Sequence, residues 1–232
     1  MKEAGDLFDE YSAAYEQALS TALSPSGESR EYFAEGRVAW LRRCLSEIEF
    51  HANSILDFGC GDGATTPLLL REMNATSALG IDVSPKSLEL ARKLHATPRI
   101  LFESLDQYKA SGTADLAYCN GVFHHIPPPK RAGAIAIVRS ALRQGGLFSL
   151  WENNAWNPAT RYVMSRCAFD RDAILIAPPE ARKLLGENGF EILRTDYRFV
   201  FPHALRALRG IENWVYRLPL GTQYQVLARK NP

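Results

Sequence analysis

The sequence predicts a doubly wound α/β fold, a mostly parallel sheet with helices on both faces. Three observations predict it. From Asn53 onward, short apolar runs alternate with helix-period stretches. Those runs do not alternate apolar and polar, which suits strands buried on both faces. The first run, Ile55-Leu56-Asp57-Phe58, breaks into Gly59-Cys60-Gly61-Asp62-Gly63-Ala64, a glycine turn that opens a helix. Glycine tolerates positive φ and lets a ligand come close to the backbone, at a strand's carboxyl end beside a helix N-terminus.

Taken in order, residues 6–20 read as a helix, with Leu7, Phe8, Tyr11, Tyr15 and Leu19 at three- and four-residue steps. Ser24-Pro25-Ser26-Gly27 marks a loop. A second helix is expected over 28–48, through Tyr32, Phe33, Val38, Trp40, Leu41 and Leu45. Residues 1–50 thus form a helical cap or lid, and 51–232 the main unit, the two making one compact body. Strands are expected at 55–58, 77–83, 99–102, 115–119 and 147–151, with helices at 64–73, 84–95 and 129–142. Ser84-Pro85 is a helix start, serine as cap and proline in the first turn. Gln144-Gly145-Gly146 reads as a turn before the fifth strand. Beyond Trp151 the pattern loosens: irregular chain with room for short helices over 153–177, a helix over 178–188 closed by Gly189, and a long strand over 190–201. An amphipathic helix over 203–218 and a last strand over 223–228 follow. These final strands fit an antiparallel edge region.

Composition narrows the function. The 232 residues are 46% hydrophobic and 23% charged, with a formal net charge of +1. That balance supports a packed core and gives no electrostatic footprint for nucleic acid. Cys44, Cys60, Cys119 and Cys167 form no C-x-x-C pair, so neither a disulfide framework nor a zinc site is expected, and a reducing cytoplasm fits best. No signal core or membrane-spanning run is present in the sequence.

Residues 59–64 satisfy G-x-G-x-x-G/A, a pattern that also admits a nicotinamide dinucleotide. Asp57 weighs against a pyrophosphate, which it would repel, and for a ligand with a positive group. Asp82, ending the second strand, is placed to accept the two hydroxyls of a ribose. Asp106 follows the third strand, and Asn120-Gly121 ends the fourth. Adenine, ribose, a cationic centre and an ammonium without phosphate describe S-adenosylmethionine.

The chain here resembles the class I S-adenosylmethionine-dependent methyltransferases over roughly residues 50–150. The matching motifs are Leu56-Asp57-Phe58-Gly59-Cys60-Gly61-Asp62-Gly63, Gly80-Ile81-Asp82-Val83-Ser84, the stretch from Ala114 through Asn120-Gly121-Val122-Phe123-His124-His125-Ile126, and Leu142-Arg143-Gln144-Gly145-Gly146-Leu147-Phe148. The resemblance implies a Rossmann-like seven-stranded sheet with its last strand inserted antiparallel. It implies a cofactor set in which Asp57, Gly59, Cys60 and Gly61 line the methionine part. Asp82 would hold the ribose, with Val83 and Leu105 at the adenine, Asp106 on its amino group, and Asn120 and Gly121 near the ammonium. The product would be S-adenosylhomocysteine, and no metal is expected. Trp151-Glu152-Asn153-Asn154-Ala155-Trp156-Asn157-Pro158 resembles an acidic-Asn-Pro signature in a subset of the family.

Methyl transfer is an in-line displacement governed by positioning, and a base helps when the acceptor must lose a proton. His124, His125 and Glu152, at the ends of strands four and five, are the candidates, with one of the adjacent histidines expected to turn away. Tyr11, Tyr15, Tyr32 and Phe33 are candidates to close over the sulfonium. The mildly basic C-terminal third, with Arg198, Arg206, Arg209 and Arg217 around Tyr197-Arg198-Phe199-Val200-Phe201, reads as a solvated face, a pocket for an anionic or lipid-like acceptor, or a membrane-surface contact. The expected activity is methyl transfer to a small molecule at oxygen. A nicotinamide-dependent oxidoreductase and a non-catalytic cofactor-binding module are the rivals. Oligomeric state stays open.

Overall fold

The computed structural model describes residues 26–167 and 173–231. The expected helix over 6–20, and Tyr15 with it, lies outside them. In chain order the elements are α1 (Arg30–Glu47), β1 (Ser54–Phe58), α2 (Thr66–Glu72), β2 (Ser77–Asp82), α3 (Pro85–His95), β3 (Ile100–Ser104) and β4 (Ala114–Asn120). Then follow α4 (Pro128–Ala141), β5 (Leu142–Asn153), α5 (Pro158–Arg166), α6 (Pro178–Glu187), β6 (Phe190–Arg198), α7 (Glu212–Val215) and β7 (Gln223–Lys230).

The sheet order is β3-β2-β1-β4-β5-β7-β6. β1 pairs with β2 and β4 in parallel, β2 with β3, and β4 with β5. β7 runs antiparallel between β5 and β6. The chain turns back at β1, so the carboxyl ends of β1 and β4 open a crevice where ligands of such sheets bind. Two apolar layers bury the sheet. One joins α1, α2 and α3 through Leu41, Leu69, Leu88 and Trp151. The other joins α4 and α6 through Ile135, Val138, Leu185 and Phe148.

Local chemistry explains most boundaries. Ser29 caps α1 by accepting from Tyr32 N, and Ser84 caps α3 by accepting from Ser87 N, with Pro85 in the first turn. Asn157 caps α5 through Ala159 N and Thr160 N, within the stretch expected to be irregular.

Three expectations change. The Gln144-Gly145-Gly146 turn lies inside β5: pairing steps from Leu142 opposite Ala114 to Leu147 opposite Leu116, and the residues between bulge out. The long strand ends at Arg198 because Phe199 takes φ +63°, which breaks the ladder. The helix over 203–218 is instead a 3-10 segment, His203–Ile211, followed by the single turn of α7. Its apolar positions recur every three residues, a spacing that a 3-10 helix of three residues per turn also satisfies.

Candidate active site

The glycine turn is built from β1 outward. Gly59 N and Cys60 N both donate to Ile81 O, at 2.8 and 3.1 Å, tying the turn to the end of β2. Gly59 has φ +73°, and an added Cβ would lie 2.3 Å from a Val122 methyl. Gly61 has φ +56° and open space where its Cβ would stand. The first glycine is therefore required by packing, and the second leaves a bare cradle. Arg30, the first residue of α1, grips Asp62 of the turn with two bonds of 2.5 and 2.6 Å.

Beside this turn opens a cavity of about 910 Å³. Asp57, Gly59, Cys60, Gly61, Asp82, Val83, Leu105, Asn120, Gly121 and Tyr32 all line it. Asp106 does not: it is exposed, one residue beyond Leu105. The turn after β3, closed by Gln107 N and Tyr108 N donating to Ser104 O, carries its side chain out to solvent. Asp57 is buried and accepts one hydrogen bond, from Thr66 Oγ1 at 2.7 Å. Burial, and then the nearby Asp82 carboxylate, push its pKa up to about 7. Asp82 accepts from Gly61 N at 2.8 Å and from Ser84 N at 2.9 Å, and burial raises its pKa as well. A buried acid and a half-buried one facing one cavity suit a ligand that brings positive charge and hydrogen-bond donors. Tyr32 meets Phe33 and Phe199 edge-on and forms part of the aromatic wall.

The second cluster stands across the cavity. β4 and β5 run in register, Asn120 opposite Trp151, so the turn after β4 lies against the end of β5. This brings His124 and Glu152 together, 28 residues apart in sequence, with His124 Nδ1 2.6 Å from Glu152 Oε2. The other carboxylate oxygen accepts from Phe123 N at 2.8 Å. Glu152 therefore bonds the histidine turn rather than the loop after β5. It lies behind His124 and outside the cavity lining, whereas His124 and His125 both line it. Facing a carboxylate, Nδ1 carries the proton and Nε2 is the basic nitrogen. Arg131 fixes the same turn from below, donating to Phe123 O and Ile126 O, while Ile174 N donates to His124 O.

Arg37 is a lining residue that the sequence reading missed. It is buried, with Nε on Tyr118 Oη at 3.2 Å and a terminal nitrogen on Gln223 Oε1 at 3.0 Å. A signal existed: Arg37 falls one helical turn from both Phe33 and Leu41 on the core face of α1. Lys130 also lines the cavity. Asn154 and Asn157, from the acidic-Asn-Pro signature, act as a clamp. Asn154 donates to Pro219 O and Gly221 O, and Asn157 to Leu220 O. Among the described residues no cluster of three or more His, Cys, Asp or Glu is set to hold a metal.

Sheet order, glycine cradle and paired acids are those of the class I S-adenosylmethionine-dependent methyltransferases, and the chain carries a methyltransferase domain. A family model described as a methyltransferase domain matches residues 55–146. The chain is 25% identical to a trans-aconitate 2-methyltransferase of Enterobacter sp. (strain 638), over 76% of its own length and 71% of that protein's. It is 29% identical to the enzyme of the same name from Rhizobium etli, over 79% and 75%. Among solved structures, the magnesium protoporphyrin IX methyltransferase of Synechocystis PCC 6803 with bound S-adenosylhomocysteine has a TM-score of 0.66 at 17% identity, covering 98% of each chain. The [4+2]-cyclase SpnF reaches 0.67 at 17% identity, covering 99% of this chain and 96% of that one. That fold thus hosts more than one reaction, and the acceptor chemistry has to be argued from the site.

Proposed function

We propose that this protein transfers a methyl group to an oxygen of a small acceptor and releases S-adenosylhomocysteine. The observation that carries the reading is the His124–Glu152 pair on the cavity wall. S-adenosylmethionine supplies a methyl group already activated by its sulfonium charge. Asp57, the Gly59–Gly61 cradle, Asp82 and Asn120 hold the donor, and the aromatic wall with Tyr32 excludes water. His124 Nε2 takes the acceptor's hydroxyl proton as the new oxygen–carbon bond forms and the sulfur–carbon bond breaks. Glu152 positions the ring and stabilises the imidazolium. His125 lies 4.1 Å from His124, centroid to centroid, and serves substrate contact.

A second reading is favoured by the cations of the lining. Arg37 and Lys130 suit an anionic acceptor, and the relatives' names point to trans-aconitate, a small tricarboxylate. A carboxylate oxygen has no proton to lose and needs no base. Methyl transfer from labelled S-adenosylmethionine to trans-aconitate and to hydroxylated acceptors separates the two. On a hydroxyl, His124→Ala should lower kcat about 10²–10⁴-fold with S-adenosylhomocysteine affinity kept. Unchanged kcat in that variant would remove the base and leave the carboxylate reading. We place the activity in the cytoplasm, supported by four buried cysteine thiols.

A further inference from the structure

The segment after β6 is amphipathic the wrong way round. Its polar ridge faces the protein: His203 Nδ1 lies 3.0 Å from Glu28 Oε1, and Arg209 bonds the same carboxylate. Glu212 is buried and accepts from Val200 N and Phe201 N at 3.0 and 2.9 Å. The apolar ridge faces outward. Leu205, Leu208, Ile211 and Trp214 recur every three residues, from the kink at Leu205 through the 3-10 segment into α7, and all four are exposed. Trp214 is 87% exposed, and Leu218 and Leu220 extend the strip.

We propose that this ridge docks on an anionic lipid surface. Tryptophan and leucine beside arginine are the side chains that settle at the boundary of headgroups and acyl chains. The charges that flank the ridge are cationic: Arg206 and Arg217 are exposed, whereas the acid of the segment, Glu212, is buried and used by backbone donors. A second copy of this chain fits less well. The 3-10 segment is about 18 Å long at about 2 Å per residue, one narrow ridge, whereas a stable dimer buries about 800 Å² per partner. The ridge follows directly on Phe199, Val200, Phe201 and Pro202, which line the cavity, so docking sets the acceptor entrance at the lipid surface. The proposal does not depend on which oxygen is methylated.

The test is co-sedimentation of the full chain with phosphatidylcholine vesicles with and without phosphatidylglycerol. The wild type should pellet with the anionic vesicles. Trp214→Ser combined with Leu208→Ser should reduce binding at least about tenfold, and Arg206→Glu or Arg217→Glu about fivefold each. S-adenosylhomocysteine affinity and melting temperature should be unchanged, since these side chains are exposed. Absence of binding to both vesicles, or equal binding by wild type and the Trp214→Ser/Leu208→Ser variant, would overturn the proposal. So would a wild-type dimer by sedimentation velocity that the same variant converts to monomer, which assigns the ridge to a second copy.

Discussion

Asp57 carries a charge problem whose solution is the ligand. Its neighbours are Asp82, Asp62, Arg37 and the Thr66 hydroxyl, and its pKa stands at about 7, well above the ordinary carboxylate range. A raised pKa in the folded state means that the folded protein holds the proton that the unfolded chain has given up. The contribution of Asp57 to stability is therefore full below the ordinary carboxylate range and lost as pH rises through about 7. An ammonium ligand favours the ionised form, so binding should release a proton at pH 6. Calorimetry of S-adenosylhomocysteine at pH 6 in buffers of different ionisation enthalpy should show that release in the wild type and lose it in Asp57→Asn. Equal proton release in both would place the titrating group elsewhere. At Glu152 the expected signature is different. Glu152→Gln offers Nδ1 an amide in place of a carboxylate, so kcat on a hydroxyl acceptor should fall while KM for the donor holds. A loss of donor affinity instead would make the pair a scaffold for the cofactor pocket.

The start of α3 was legible in the sequence from its cap, Ser84-Pro85. Asn157-Pro158 was visible as a motif but not as a cap, although its cap bonds to Ala159 N and Thr160 N are local; the bond from Asn157 to Leu220 O, some 60 residues away, is the part no local pattern records. The clamp joins the end of β5 to the run before β7. Asn154→Ala would leave the buried carbonyl of Gly221 without its donor, at a cost of about 2 kcal/mol, which lowers Tm by about 4–8 °C. Asn157→Ala should cost about 1 kcal/mol as a lost cap. Thermal melts of the two variants check both values, and equal small shifts would mean that Asn154 is not the principal tie. The 203–218 stretch misled because a spacing of three residues satisfies helix and 3-10 segment alike. Which ridge faces inward depended on Glu28, far away in sequence, and no local pattern records that.

The half of the molecule from β1 to β5 was readable because its strands are short apolar runs, and β1, β2 and β4 each carry a polar residue at or beside the carboxyl end. Asp57, Asp82 and Asn120 line the cavity, as do Arg37 and Lys130, which reach it through tertiary packing that no local pattern records. A cofactor that binds the native state alone should raise stability by about 2.7 kcal/mol at a hundredfold excess over Kd. S-adenosylhomocysteine should therefore raise Tm by several degrees, and NAD should not; the reverse result would restore the oxidoreductase. Gly59→Ala should abolish the S-adenosylhomocysteine shift, since its methyl group would strike Val122. The place of β7 bears on how the protein is made. Among the described residues it is the sole sheet neighbour of β6, and its first residue, Gln223, meets Arg37 across 186 residues. During synthesis, at about 5–20 residues per second, the glycine cradle leaves the ribosome many seconds before the strand that completes its far wall. A nascent chain stalled ahead of Gln223 carries β5 as an open edge and β6 without a pairing partner. Such a chain should call on a chaperone and stay blind to the cofactor, which makes donor binding a report that translation of the last strand is done.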